Sequence, residues 1–229
     1  MKLDRVLTIG GSTVPVVDER VLLSLTEPGR AQLTIEAAAA DVSVMSAMAL
    51  DIGYASHDDA QRLFLGYVDS VTPIDSKHCK IFCRELAALL KMTVPLNLRH
   101  PTLRDVLAAV HDATGLNFSA PDAAYASTKI PHFANVGSGF QAMAGVGNAF
   151  RIPDFIYQQQ GEGVIYVGAW ADSRWQDSAV DIDVSYFAEQ LSSHAASVAA
   201  IPAMRPGVVV NGNRVQTVEF SGNLMTLSW

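Results

Sequence analysis

Short runs rich in apolar residues, separated by turn residues, occupy the first third of the chain and are predicted to be β-strands. These runs cover residues 6–9, 14–17, 21–25, 31–37, 42–54, 63–71 and 80–83. Short strands at close spacing are typical of a small barrel or sandwich. Gly66 lies inside the run 63–71, where a glycine indicates a bulge or a barrel corner.

The period changes to that of helices near residue 84. Residues 84–91 have helical spacing, and a second helix is predicted after Thr102, whose side chain can cap it together with Asp105. The apolar stripe of this helix consists of Leu103, Val106, Leu107 and Val110. Gly115 is predicted to end the helix, and residues 116–118 to start a strand.

The same plan recurs further along the chain. Residues 138–146 predict a helix with a stripe of Phe140, Met143 and Ala144, which Gly147 ends. Apolar strands follow at 155–157 and 164–167. Two helix-then-strand units of this kind fit a small α/β sandwich.

The last part returns to β structure. Residues 180–184 alternate in polarity, 187–200 fit either a short helix or an irregular excursion, and the prolines extend 201–206. Asn211-Gly212 between valine-rich runs is a strong hairpin signal, and Ser221-Gly222-Asn223 marks another turn. We therefore predict an α+β, mainly β protein: a β-barrel over 1–83, an α/β domain over 84–171 and the strands of a second barrel over 172–229.

Composition narrows the function classes. Of the 229 residues only 17% are charged, and the net charge is −7. The lack of a basic cluster argues against sequence-independent nucleic-acid binding. No signal peptide is evident at the start, and the most apolar stretch, 37–50, is too short to span a membrane, so we expect a soluble protein made in a cytoplasm. So few charges suggest that some surface is buried between subunits.

The search for metal sites turns on two cysteines. Cys79 and Cys83 are expected on one face of a strand, too far apart for a disulfide. With His78 they could supply part of a metal site that also needs His57 or His100, or they could be two small buried hydrophobes. We predict no metal and no cofactor.

Three other groups of residues could form functional sites, but each also has a purely structural explanation. Asp181 and Asp183 share a face, as glycosidase carboxylates can, or form the wet side of an edge strand. His57 with Asp58 and Asp59 could be a base or ligand cluster, or a solvated turn. Trp170 and Trp175 flank Asp172 and Arg174 and could stack on sugars or anchor an interface. No group forms a convincing active site, so we predict that the protein is not an enzyme.

Three motifs in this order resemble the baseplate or tail-tip hub proteins of tailed bacteriophages and the related body of VgrG-type spikes. The first is Phe64-Leu-Gly-Tyr-Val-Asp-Ser-Val71 followed by Lys80-Ile-Phe-Cys-Arg-Glu-Leu-Ala-Ala-Leu-Leu90. The second is Thr102-Leu-Arg-Asp-Val-Leu-Ala-Ala-Val110 with Thr114-Gly-Leu116, and its echo from Phe140 to Gly147 that leads to Gly161-Glu-Gly-Val-Ile-Tyr-Val-Gly168. The third combines Ile201-Pro-Ala-Met-Arg-Pro-Gly207 with the closing strands. Many hubs are longer, so this chain would be a minimal hub.

The resemblance implies a structural role. Hubs are typically trimers with two small barrels per chain, and the six barrels match a six-fold tail tube to a three-fold tip. The implied partners are a distal tail or tail tube protein, a tape measure protein and a central fibre or spike, in a virion tail assembled in the host cytoplasm. DNA would pass the lumen without specific binding, and the chain would not insert into a membrane.

Five aromatic residues are expected to act as packing or interface anchors rather than as a site: Trp170, Trp175, Tyr186, Phe187 and Trp229. Two alternatives remain. A hexameric distal-tail or receptor-binding module would expose an aromatic patch. A tail-associated cell-wall hydrolase would use Asp181 and Asp183, or His57.

Overall fold

The computed structural model describes residues 2–54, 60–192 and 194–229. The chain is mainly β, with 45% strand and 19% helix and a curled half-barrel sheet, as the sequence predicts for the fold class. It divides into two compact units. The first combines Met1–Leu86 with Ala179–Trp229, and the second is Ala87–Ser178.

In the described part of residues 2–85, the structure has seven strands and one short turn of 3₁₀ helix, Ala39–Asp41, and a longer 3₁₀ segment, Leu86–Lys91, follows. The strands are β1 (Leu3–Ile9), β2 (Ser12–Val14), β3 (Val16–Ser24), β4 (Arg30–Ile35), β5 (Ala47–Tyr54), β6 (Gln61–Pro73) and β7 (Cys79–Glu85). The helical spacing predicted for 84–91 is therefore realised as 3₁₀ helix that begins two residues later.

The second unit mixes strands and helices. In chain order its elements are β8 (Leu96–Arg99), α1 (Leu103–Thr114), β9 (Phe118–Ser119), α2 (Ala124–Ser127), β10 (His132–Asn135), α3 (Gly139–Ala149), β11 (Phe155–Gln159) and β12 (Ile165–Ala169). A 3₁₀ turn, Trp170–Asp172, follows β12.

The closing part is again β structure, with a 3₁₀ turn at Val184–Tyr186. Its strands are β13 (Ala179–Val180), β14 (Phe187–Ser192), β15 (Ala195–Ala199), β16 (Val209–Val210), β17 (Asn213–Arg214), β18 (Thr217–Ser221) and β19 (Leu224–Ser228). The ambiguous stretch 187–200 is thus a hairpin. The alternating run 180–184 forms a strand only at its start.

Both ends of the chain share one eleven-stranded sheet. Its order is β14-β15-β19-β18-β3-β4-β7-β6-β5-β1-β2. The join is the antiparallel pair β18–β3, in which Glu219 lies opposite Leu22 and Phe220 opposite Val21. Burial alternates with period 2 most clearly on β3, β4 and β7, which gives each of these strands one core face. On β7 the buried face carries Cys79, Ile81, Cys83 and Glu85.

Tight turns fix the register of the hairpins. Asn211 and Gly212 form the predicted two-residue turn between β16 and β17, with φ of 48° and 78°. Positive φ at both positions defines the turn type that matches the strand twist, and Asn and Gly tolerate it. Gly222, with φ of 60°, opens the turn between β18 and β19, which the sequence also predicts.

The Gly66 prediction is explained by a close backbone approach. A Cβ at this position would lie 1.9 Å from the carbonyl oxygen of Arg84 on the paired strand β7. The register of β6 against β7 shifts between Val68 and Ser70. The glycine therefore permits the two strands to pair beside this irregularity.

The first helix of the second unit forms as predicted. The Thr102 hydroxyl accepts from the Asp105 N–H at 3.2 Å, and the Asp105 carboxylate accepts from the Thr102 N–H at 2.8 Å, which completes a capping box. Gly115 ends the helix with φ of 74°. The buried side chains of α1 are the predicted ones: Leu103, Val106, Leu107 and Val110.

The prediction for α3 is partly wrong. The helix does not end at Gly147 but continues to Ala149, and Ala144 is exposed rather than buried. The buried face consists of Gly139, Ala142, Met143, Val146 and Gly147. A Cβ on Gly147 would lie 2.7 Å from the Phe155 ring, so this glycine is required by packing against β11 rather than by helix termination.

Candidate assembly surfaces

The two tryptophans of the second unit are engaged inside it. Trp175 is only 5% exposed, and its indole N–H donates to the Gln158 side chain at 2.8 Å. The Arg174 guanidinium stacks 4.4 Å from the Trp175 ring centre, and the Asp172 carboxylate accepts from Tyr125 at 2.7 Å. Trp170 is half-buried. These contacts suit a packing role better than an open platform for sugars.

The predicted aromatic anchors of the first unit differ in their exposure. Tyr186 is 72% exposed, whereas Phe187 is half-buried at the start of β14. Trp229 is also half-buried, and its N–H donates to the His194 carbonyl at 3.0 Å. Tyr186 is thus the predicted interface residue that offers the most free surface.

Tyr186 belongs to an exposed segment with two carboxylates. We call Val180, Asp181, Asp183 and Tyr186 the acidic rim. All four are exposed. Asp183 accepts from the N–H and the hydroxyl of Ser185 at 2.8 and 2.7 Å, and these bonds lower the pKa of Asp183. The carboxylate is therefore ionised at neutral pH.

Asn211 holds this segment in place. Its side chain accepts from the Ile182 N–H at 2.7 Å and donates to the Ile182 carbonyl at 2.8 Å. Its own N–H donates to the Val180 carbonyl at 3.1 Å. The hairpin turn therefore extends the short strand β13 by side-chain bonds, and Asp181 and Asp183 flank the bonded residue.

A basic groove lies on the outer face of the same sheet. We define it by Arg20 and Leu22 on β3, Arg30 on β4 and Phe82 on β7, which line an open volume of about 240 Å³ together with Ala31, Gln32 and Glu219. Arg20 pairs with Glu219 at 2.7 Å, which raises the pKa of Arg20. Leu22 and Phe82 are half-buried and form its apolar part.

The arginines of this face are close in register. Arg30 lies directly opposite Arg84, whose side chain pairs with Asp69 at 3.2 Å and stacks over the Phe82 ring at 5.1 Å. Among the described residues, no hydrogen bond or ion pair engages the exposed Arg30 side chain. Like charges directly opposite one another are destabilising, so this pair is suited to an anionic partner.

The sequence did not reveal this groove. Arg20, Arg30 and Phe82 are far apart along the chain, and only the pairing of β3, β4 and β7 brings them together. Alternation within each strand does predict that Arg20 and Leu22 share one face of β3, and that Phe82 and Arg84 share one face of β7. Which strands pair, and in which register, is needed to show that these two faces lie side by side in the sheet.

A second cleft lies within the other unit, between α1 and the edge strand β9. It encloses about 510 Å³ and is lined by Arg104, Leu107, Ala108 and His111 of the helix and by residues 117–120. The His111 ring contacts the Leu116 carbonyl at 2.9 Å, and Arg104 reaches the Pro121 carbonyl at 3.3 Å. Both basic side chains therefore already bond to the loop that borders the cleft.

Glu85 is an ionisable group that the sequence analysis overlooked. It is only 4% exposed, and its carboxylate accepts from the Gly29 N–H at 2.6 Å. Burial raises the pKa of Glu85 to about 7, while the Gly29 bond and the charge of Arg205 act in the opposite direction. Arg205 is itself buried and donates to the carbonyls of Arg62 and Leu63 at 2.8 and 2.9 Å.

The cysteines lie on one face of β7, as predicted, and both are free and buried. Burial raises the pKa of both thiols, that of Cys83 to about 12, so they are protonated and suited to packing. Across residues 2–54, 60–192 and 194–229, no group of three or more metal-ligating side chains occurs. The candidate cluster of His57, Asp58 and Asp59 lies outside the described residues.

The sequence of this chain is similar to that of a known phage protein. No family model matches the chain. Over 228 residues it is 32% identical to an uncharacterized 58.7 kDa protein of Haemophilus phage HP1, and it spans 42% of that relative's length. Of the helices that the structure describes, none has the length and apolar character needed to cross a membrane.

The solved structures show the fold. The 43 kDa tail protein of prophage MuSo2 from Shewanella oneidensis superposes with a TM-score of 0.75 at 12% identity, covering 99% of this chain and 98% of that one. The chain has the fold of a phage tail protein. An E. coli type VI secretion component, described as similar to the T4 tail proteins gp27 and gp5, matches with a TM-score of 0.64 at 12% identity, over 97% of this chain and 75% of that one. The resemblance to tail-hub proteins drawn from the sequence is thus confirmed.

Proposed function

We propose that the chain is a structural component of the hub at the tip of a phage tail. In this proposal three copies form a ring that adapts the six-fold tail tube to a three-fold tip. The observation that carries it is the match of nearly the whole chain to tail proteins and to a secretion component described as similar to gp27 and gp5. Fold alone does not define function, so the proposal also rests on the arrangement of the β-rich parts, on the net charge and on the aromatic side chains.

The symmetry adaptation requires two equivalent elements in each copy. We assign them to the two β-rich parts, residues 1–83 and 172–229, which flank the α/β part over 84–171. In the shared sheet, β1–β7 form one block and β14, β15, β18 and β19 the other, joined at the β18–β3 pair. Three copies with two such blocks would offer six positions to the tube.

The ring would line part of the channel through which DNA leaves the particle. The chain has a net charge of −7, and a wall of like charge avoids the counterion-release attraction that holds DNA on basic surfaces. The partners in this account are a distal tail or tail tube protein above, a tape measure protein inside, and a central fibre or spike below. The protein would be part of the virion tail tip, assembled in the host cytoplasm.

The role we propose is not catalytic. Asp183 already accepts two bonds from Ser185, and Trp175 is buried beneath Arg174. These contacts favour structural roles for the side chains that a hydrolase or a sugar-binding module would use. The aromatic anchors of the assembly would be Tyr186 and Phe187, with Trp170, Trp175 and Trp229 supporting them by packing.

Sedimentation equilibrium of the full chain over a wide concentration range tests this proposal. A species of three chain masses is expected, either alone or after addition of the tail tube protein. A species of six chain masses would instead favour the distal-tail alternative. A monomer that binds no tail protein would contradict both.

A further inference from the structure

The acidic rim and the basic groove both belong to the first unit and carry opposite charge. The groove holds Arg30, which has no described ionic partner, beside the Arg20–Glu219 pair. The rim projects Asp181 and Asp183 from a segment with exposed Val180 and Tyr186. Each surface thus combines charges with apolar side chains.

Both surfaces also carry their charges close together. Arg20 and Arg30 are diagonal neighbours on paired strands, because Arg20 lies opposite Gln32 and Arg30 opposite Leu22. Diagonal neighbours are about 7–8 Å apart. Two residues of chain span at most about 7 Å, so Asp181 and Asp183, which lie just beyond β13 and are separated by Ile182 alone, are close neighbours along the backbone. Two carboxylates this close together can face two guanidinium groups at once.

We infer that the acidic rim of one copy docks in the basic groove of the next copy. Asp181 and Asp183 would pair with Arg30 and Arg20, and the Tyr186 ring would cover Leu22 and Phe82. The occupant is a second copy of this chain, because the chain has a net charge of −7 and its rim carries two exposed carboxylates that complement the arginines of the groove. This inference rests on the proposed ring and names the contact that closes it.

The contact is head-to-tail, since it joins different surfaces of the two copies. Interfaces of this kind generate closed rings when the rotation between copies closes, whereas a two-fold contact would stop at a dimer. The rim is kept in shape for docking by the Asn211 side chain.

Charge reversal and charge exchange test the inference. In Arg30→Glu and in Asp181→Arg we expect association, measured by sedimentation equilibrium, to weaken by about tenfold or more, since each variant places like charges together. The variant that carries both changes restores opposite charges, so its association should return to within a few-fold of the original chain. Association of the original chain should also weaken as salt is raised.

The controls reverse exposed charges of the second unit, Lys129→Glu and Glu162→Arg, which should leave association unchanged. Thermal unfolding checks that all variants fold. If a charge reversal prevents folding, the neutral variants Arg30→Gln and Asp181→Asn replace it, and each should also weaken association. Trimers of the original chain that are unaffected by both single reversals, or a double variant weaker than either single, would overturn the inference while leaving the ring intact. A chain that never associates, even with the tail tube protein, would overturn the ring and the contact together.

Discussion

The side chain of Asn211 bonds both backbone polar groups of Ile182, accepting from its N–H at 2.7 Å and donating to its carbonyl at 2.8 Å. The Asn211 side chain thereby forms the two backbone hydrogen bonds that a paired strand would otherwise give to Ile182. Asn211 also has φ of 48°, so a single residue satisfies both the hairpin and the acidic rim. The turn depends on the backbone of Asn211 and the bonds to Ile182 on its side chain, so a substitution that keeps the turn conformation can alter the rim alone.

Replacing Asn211 should release the rim selectively. Asn211→Gly keeps the left-handed turn conformation but removes both side-chain bonds, so we expect the Ile182 amide to lose about tenfold of its hydrogen-exchange protection. Asn211→Asp keeps the acceptor and loses only the donor, so its loss should be smaller. Equal protection in all three proteins would contradict the clamp.

Buried Glu85 predicts an unusual pH dependence. The pKa of Glu85 is raised to about 7 in the folded chain, so the folded chain binds the proton more tightly than the unfolded chain does. This difference stabilises the fold fully below pH 4.5, and the stabilisation is lost as pH rises through 7. At about 1.4 kcal/mol per pKa unit, a shift from 4.5 to about 7 corresponds to a loss of at most about 3–4 kcal/mol. Urea unfolding from pH 4.5 to 8.5 should therefore show the free energy of the original chain falling relative to Glu85→Gln, which still can accept from Gly29. Parallel curves would show that Glu85 titrates normally.

Two glycines of α3 offer a matched comparison. A Cβ on Gly147 would lie 2.7 Å from the Phe155 ring, whereas a Cβ on Gly145 would meet the Phe133 ring at 3.6 Å, an ordinary contact. Gly147→Ala should destabilise the protein by about 1–3 kcal/mol through overpacking. Gly145→Ala should be neutral or stabilising by up to about 1 kcal/mol, because alanine favours helix. Denaturant unfolding of both variants distinguishes packing from propensity.

The aromatic residues should separate into packing and assembly roles. Trp175→Ala removes a buried indole and its bond to Gln158, which should cost about 3–5 kcal/mol of unfolding free energy. Tyr186→Ala removes an exposed ring and should leave stability within about 0.5 kcal/mol while weakening association. A large loss of stability in Tyr186→Ala would assign this residue to packing instead.

Local signals predicted much of the fold. Thr102, Asp105 and Gly115 define both ends of α1 because capping depends on residues close in sequence. Asn211-Gly212 predicted its hairpin for the same reason. The end of α3 was missed because Gly147 is set by a ring on β11, a contact that a single sequence does not show.

Charged positions on strands were harder to interpret. Period-2 alternation from Cys79 through Ile81 and Cys83 would have placed Glu85 on the buried face, but residues 84–91 were interpreted as helical. The basic groove depends on the registers between β3, β4 and β7. Register across strands far apart in sequence is decided by tertiary packing, so the groove could be found only in the folded chain.

The most direct test of the tail-hub account is cryo-electron microscopy of the assembled particle with antibody or tag labelling of this chain. The account predicts three copies in a closed ring at the tail tip, each contributing two β-rich blocks, with the rim of one copy against the groove of the next. Six copies related by six-fold symmetry would contradict the trimeric hub, and so would absence of the chain from the tail.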